Sequence, residues 1–259
     1  MDTHTPIGAV PSADSSPNRG DNGGNGRRST VSFSRRSARL TDRQARAWDQ
    51  HAATYVLDIP RGAYDTSVDP SYVFDAAATF GRHAPLVVEI GTGRGEAILH
   101  AAHSQPDTDF LGLEVWVTGI AKTFVTMGKA EPPNLRIALV DAFEALSTML
   151  AAGSVAELRI FFPDPWHKTR HHKRRLIDDE FAALAVRVLA PQGILRLATD
   201  WEEYALQMRE VLDRTPGLQR AHEAPWAERF AGRPITRFEH KGQQVDREIR
   251  DLTYRAAST

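Results

Sequence analysis

Five short apolar runs, at 86–90, 110–115, 135–140, 158–162 and 194–198, recur along the chain with helix-length stretches between them. Strands buried on both faces read as such runs, and parallel neighbours need a crossover of about a dozen or more residues to connect them. The alternation therefore predicts βαβ units, and with them an α/β fold on a mostly parallel sheet with helices on both faces. The clearest helix falls between the last two runs. Ile177, Phe181, Leu184 and Val188 step at i, i+4, i+7 and i+11, which predicts a helix over 176–189 that Pro191-Gln192-Gly193 ends. In open sheets of this kind ligands bind beyond the carboxyl ends of the strands, so the chemistry of the chain is to be sought there.

The flanking segments read differently. Residues 1–31 are rich in Gly, Ser, Asn and Asp with almost no apolar periodicity, and are expected to form a disordered tail because they bury too little to offset the entropy of ordering. Residues 32–60 turn basic and gain scattered apolar positions, as in an arm that orders on the domain or on RNA. Residues 61–259 are expected to form the single α/β domain. The chain lacks cysteine, which excludes disulfides, thiolate zinc sites and cysteine nucleophiles, and no metal is expected. No apolar stretch approaches the roughly 20 residues of a membrane span, and the first residues lack a secretory pattern, so a cytoplasmic protein is expected.

The net charge of −1 hides strong clustering. Between Arg27 and Arg46 seven arginines face one acid, Asp42, and from His167 to Arg175 there are five Lys/Arg and no acid. Both stretches suit phosphates, although a solvated face in an arginine-rich chain would look the same. The second run abuts the start of the 176–189 helix, where cations oppose the helix dipole, and that placement points to an anionic partner.

Each strand end carries a candidate group. The first run leads into Glu89-Ile90-Gly91-Thr92-Gly93-Arg94-Gly95, in which Gly91 and Gly93 allow a sharp turn and close approach of backbone to a ligand. The loop is GxGxG and lacks the spacing of the dinucleotide fingerprint. Glu89 beside it repels phosphate and attracts an ammonium or sulfonium, which favours S-adenosylmethionine over a nicotinamide dinucleotide. Glu114 stands at the second strand end, where an acid accepts ribose hydroxyls or caps a helix. Asp141 at the third either accepts from an adenine amino group or caps the helix that follows. At the fourth end, Phe161-Phe162-Pro163-Asp164-Pro165-Trp166 fixes one carboxylate between two prolines beside an aromatic face suited to base stacking. Asp200 and Trp201 repeat the acid–aromatic pair at the fifth.

In these residues the chain resembles the bacterial tRNA (guanine-N7)-methyltransferase family, over nearly everything from Ser32 onward. FFPDPWHKTRHHKRR is the most specific element, supported by VVEIGTGRGE, LGLEV, VDAFEAL, LATDW, SFSRRSARLT and Pro234-Ile235-Thr236-Arg237-Phe238-Glu239. The resemblance implies a Rossmann-like, seven-stranded class I methyltransferase sheet. It also implies methyl transfer from S-adenosylmethionine to N7 of a tRNA guanine, guanine 46 of the variable loop; the oligomeric state, monomer or homodimer, stays open. By the same resemblance Glu89, Glu114, Asp141 and Asp164 contact the cofactor, with Asp164 catalytic. Lys168, Asp200, Thr236, Arg237, Phe238 and Glu239 contact the target nucleoside, and Arg170, His171, His172, Lys173, Arg174 and Arg175 contact the tRNA. The chain departs from the family pattern at Glu239-His240-Lys241-Gly242 and at Ser37-Ala38. N6-adenine methyltransferases also place a proline-containing acid motif after the fourth strand, but with two successive prolines. A non-catalytic RNA-binding relative would not need acids at every strand end.

Overall fold

The computed structural model describes residues 39–258, so the 1–31 tail and the Ser32–Ala38 part of the arm lie outside the described residues. Parallel strands β1 (Leu86–Ile90), β2 (Asp109–Leu113), β3 (Leu135–Ala138), β4 (Val155–Phe161) and β5 (Leu189–Thr199) alternate with helices α3 (Glu96–Ser104), α4 (Val117–Met127), α5 (Ala142–Glu144) and α6 (Asp179–Val188). After β5 come α7 (Glu202–Asp213), the short β6 (Leu218–Arg220), α8 (Arg237–Gln243) and β7 (Arg250–Ala256). The seven strands lie in the order β3-β2-β1-β4-β5-β7-β6, and β7 runs antiparallel to both its neighbours. Strand order reverses between β1 and β4, which opens a crevice at their carboxyl ends.

Pleating sorts the apolar runs onto two cores. Leu86, Val88 and Ile90 point to the face covered by α6 and α7, whereas Val87 joins Phe110, Leu135 and Ile137 beneath α3 and α4. Helix α1 (Asp42–Tyr55) lies on this second face, and the short α2 (Ala76–Phe80), capped by Asp75, precedes β1. The start of α1 is fixed by a capping box between Thr41 and Gln44, and Trp48 and Tyr55 bury their rings 5.9 and 6.1 Å from Phe124. The described part of the arm thus packs on the sheet domain, and Leu57 N–H donates to Ile137 O (2.9 Å) along the β3 edge.

The structure corrects several boundaries. β2 and β3 stop two residues before the expected ends at 115 and 140, because Glu114 and Asp141 turn the chain into loops. β4 starts at Val155 and ends at Phe161, since Phe162 adopts φ 54°. The helix expected over 176–189 begins only at Asp179, because Asp178 caps it by accepting from Phe181 N–H (2.9 Å). Leu176 and Ile177 are held out of it, with Ile177 N–H donating to the Tyr204 hydroxyl (3.1 Å). The basic run therefore does not crowd the N-terminus of α6, which carries Asp178, Asp179 and Glu180, and the dipole argument for an anionic partner falls. The run forms its own 3₁₀ turn, Thr169–Arg174. Pro191-Gln192-Gly193 lies inside β5.

Candidate active site

The β1–α3 loop is built from glycines in left-handed conformations. Gly91, Gly93 and Gly95 have φ of 73°, 57° and 75°, where a side chain is strained. A Cβ on Gly95 would come within 2.2 Å of the Thr123 methyl, so the loop is seated directly on α4. At Gly91 a Cβ would meet nothing within 4 Å; the backbone there faces an open cavity of about 320 Å³. Its lining includes Glu89, Gly91, Gly93, Glu114, Trp116, Asp141, Phe162, Asp164, Thr236 and Phe238, so residues from β1, β2 and β4, the β3–α5 junction and the C-terminal region meet there.

The buried acids at this cavity are set by different forces. Glu114 accepts from Gly93 N–H (2.7 Å) through Oε2 and from Val115 and Trp116 N–H (2.7 and 2.9 Å) through Oε1. Burial still pushes its carboxyl above the usual range, against those three hydrogen bonds. Glu89 is buried further from help: burial raises it to about 7 despite Arg159 on the adjacent strand, and Glu114 adds to the rise. Its Oε2 has no hydrogen-bond partner. Asp141 caps α5, accepting from Phe143 N–H (2.8 Å) and Glu144 N–H (3.4 Å) with Oδ1 while it also lines the cavity. The two readings of this residue are compatible in one carboxylate with two oxygens.

At the β4 end the backbone is strained twice. Phe162 and Trp166 both take positive φ, 54° and 47°, on either side of Pro163-Asp164-Pro165; such conformations cost about 1–3 kcal/mol each and persist only where the surroundings enforce them. They turn Asp164 out to the cavity rim, exposed, with Trp166 beside it. Arg174 lies 5.0 Å over the Trp166 ring. Lys168, Arg170 and Lys173 are exposed on the same turn, outside the cavity. Arg175 is not available to an RNA: it is 2 % exposed, donates from Nε to Pro165 O (2.9 Å) and from Nη1 to Gln207 (2.5 Å), and pairs with Glu203 (3.3 Å). His172 is likewise drawn inward, 3.5 Å from Glu203.

The C-terminal region roofs the cavity. Thr236 caps α8 by accepting from Glu239 N–H (3.2 Å), and Thr236 and Phe238 reach the cavity lining. Glu239 does not. It is buried between Arg229 (2.6 Å) and Arg233 (3.3 Å), and although burial raises its carboxyl, those two guanidiniums outweigh it and hold it below the usual range. The expected nucleoside contact by Glu239 is corrected accordingly: its oxygens are taken by arginines. Asp200 also lies off the cavity lining, where Arg247 donates to it (2.8 Å) and stacks 5.1 Å over Trp201. Arg237 is exposed, and only its backbone is fixed, N–H donating to Glu96 Oε2 (2.7 Å).

A family model described as "Putative methyltransferase" matches residues 83–252. The tRNA (guanine-N(7)-)-methyltransferase of Arthrobacter sp. is 42% identical over 87% of this chain and 86% of its own length. That of Cutibacterium acnes is 44% identical over 88% and 84%. The chain belongs to the tRNA (guanine-N7)-methyltransferase family. Among solved structures, the 16S rRNA methyltransferase KamB superposes with a TM-score of 0.50 at 15% identity, covering 72% of this chain and 95% of that one, which shows a shared class I methyltransferase fold.

As a member of this methyltransferase family the chain uses S-adenosylmethionine, and its residues fit that cofactor. An orphaned buried carboxylate oxygen on Glu89 answers to a cationic amino group, the Gly91 backbone opens on the cavity, and the volume is that of a small-molecule site. Sequence reasoning missed Trp116, whose indole lines the cavity two residues after Glu114, and Arg233, a fully buried guanidinium. An aromatic so close to an acid at a strand end was a usable signal for the first; nothing local marks the second. Among the described residues no helix is long and apolar enough to cross a membrane, and no group of three or more His, Asp or Glu is placed to hold a metal ion.

Proposed function

We propose that this enzyme methylates N7 of guanine 46 in the variable loop of tRNA, in the cytoplasm, with Asp164 as the catalytic carboxylate and 61–259 as the catalytic domain. The observation that carries the reading is Asp164 at the rim of a cavity that Glu89, Glu114 and Asp141 also line, in a chain 42% identical to tRNA (guanine-N(7)-)-methyltransferases. When bound, S-adenosylmethionine supplies an electrophilic methyl group on a sulfonium. Guanine N7 carries a lone pair and no proton, so no residue of the chain has to act as a base, and the catalytic task is positioning and charge stabilisation.

Glu89 and Glu114 bind the cofactor's cationic and hydroxyl groups, and Asp141 and Gly93 shape the wall around it. As N7 forms its new bond the purine gains positive charge, and a fixed carboxylate at the rim stabilises that state more than the neutral base. Asp164 is held for this by Pro163, Pro165 and the two left-handed residues around them. Thr236 and Phe238 contact the target nucleoside from the roof, and Trp166 offers it a stacking face. Lys168 reaches the target nucleoside and its phosphate, and Arg170, Lys173 and Arg174 hold neighbouring tRNA phosphates. Mass mapping of nucleosides in unmodified tRNA after incubation with enzyme and methyl donor tests the reading: 7-methylguanosine at position 46 is expected, and a methylated adenosine would instead favour the N6-adenine alternative.

A further inference from the structure

The rim of the cavity on the glycine-loop side carries three cations drawn from three segments, Arg94, Lys122 and Arg237. A Cβ on Gly119 would come within 2.4 Å of Gly93 O and one on Gly95 within 2.2 Å of Thr123. The loop and α4 are thus in direct contact at two points, and Arg94 and Lys122 lie between those points, one on each segment. Lys122 places its Nζ 4.8 Å over Trp116, a lining residue of the cavity. Arg237 is brought to the same rim by its backbone N–H, which donates to Glu96 Oε2 (2.7 Å) at the first turn of α3.

No carboxylate among the described residues lies within 4.0 Å of any of these three charged groups. By contrast, Arg82, Arg159, Arg196, Arg229, Arg233 and Arg250 each hold an acid. Glu96 is the acid on this rim, and its carboxylate is engaged by the Arg237 backbone rather than by a side chain. The fields of the three overlap: burial, then Arg94 and Arg237, hold the Lys122 ammonium below its usual range. Three cations share this rim with the single carboxylate of Glu96; they repel one another, and an anion bound among them relieves that repulsion.

We propose that Arg94, Lys122 and Arg237 form a second phosphate-binding subsite, which grips the RNA backbone across the cavity from the Lys168–Arg174 turn. The inference rests on tRNA being the substrate. An RNA phosphate fits better than the cofactor's own carboxylate because Lys122 and Arg237 do not line the cavity, whereas Arg94 does. With one cluster beside β1 and β2 and the other beyond β4, the strand crosses the mouth gripped on both sides of the target nucleotide. Two such grips offset the cost of unstacking the base that must enter.

The test compares wild type, a Lys122→Gln/Arg237→Gln double variant and a Lys168→Gln/Arg170→Gln/Lys173→Gln/Arg174→Gln quadruple variant. Each is titrated with unmodified tRNA over a range of salt concentrations, and with S-adenosylmethionine alone. Each lost phosphate contact flattens the slope of log affinity against log salt by about 0.7 to 0.9. The double variant is therefore expected to lose about 1 to 2 units of slope and tenfold or more in tRNA affinity, with cofactor affinity unchanged, and Lys122→Arg is expected to keep the wild-type slope. A double variant with wild-type slope and tRNA affinity overturns the subsite. So does a weakened cofactor affinity at unchanged slope, which assigns the cations to the cofactor's carboxylate. Wild type that binds tRNA no more tightly than the quadruple variant, and with no salt dependence, removes the tRNA reading itself.

Discussion

Around the glycine loop, Glu114 and Asp141 are held by backbone amides; above β4, β5 and β7, acids are held by arginines. Glu114 and Asp141 each accept from N–H groups of their own neighbours or of the adjoining loop, at 2.7 to 3.4 Å. Asp251 and Glu239 are instead clamped by Arg233, which donates to both oxygens of Asp251 (2.5 and 2.9 Å) and approaches Glu239 at 3.3 Å. Arg233 also lies 5.2 Å over Phe161 and 5.5 Å over Phe162, which ties the roof to the strand that delivers Asp164. An amide-held acid depends on local chain geometry, and its loss leaves no bare charge behind. An arginine-held acid depends on a distant partner, and removing either member strands the other in the interior. Substitutions in the first region should therefore cost binding, and those in the second should cost stability.

The largest effect is expected at Arg233. Replacing it with Met strands Asp251, and Glu239 keeps only Arg229, so unfolding in denaturant should show a loss of about 3–5 kcal/mol. A loss under about 1 kcal/mol would erase the distinction between the regions. Asp164→Asn keeps the shape of the rim without its charge and should lower turnover by about 100-fold or more, which is about 2.7 kcal/mol of transition-state stabilisation, with tRNA affinity little changed. Unaltered turnover would remove Asp164 from its role. Glu114→Ala should weaken cofactor binding by about 1–3 kcal/mol in an isothermal titration while the fold survives, and a protein that unfolds instead would put Glu114 in the arginine-like class.

The smallest effect is a pH dependence. Glu89 is raised to about 7 by burial, so between its ordinary value near 4.5 and about 7 the folded chain holds a proton that the unfolded chain has released. This group's contribution to stability therefore falls as pH rises through that window and levels off above it. Cofactor affinity runs the other way, because only the ionised carboxylate attracts a cationic amine, and it should rise roughly tenfold between pH 6 and pH 7.5. Glu89→Gln should flatten both profiles; a variant that keeps either one places the titration on another group.

The first five strands were legible because a parallel strand buried on both faces is mostly apolar, and 86–90 was read to the residue. The short β6 and the antiparallel β7 were not, and came only through the family resemblance: Leu218–Arg220 is too short to show a period, and β7 gives the core only Leu252, Tyr254 and Ala256, with polar residues between them, so it shows no continuous apolar run. Asp164 stood out in sequence because prolines and an aromatic sit beside it, whereas the burial of Arg175 within a run of exposed cations did not, since it depends on Pro165, Gln207 and Glu203.

By itself the sequence determined what is local: the strand–helix alternation, the sharp-turning glycine loop, the prolines around Asp164 and the family. The tertiary structure alone decided which charges are free and which are spent on one another. Glu89, Arg159 and Arg196 stand in one row across β1, β4 and β5, under Phe230, which Arg159 and Arg196 approach at 5.1 and 4.2 Å. Seventy and 37 residues separate the members of that row along the chain. The Coulomb energy between two charges, and the desolvation each suffers, depend on distance and burial in space, and neither quantity is written in the order of residues along a chain.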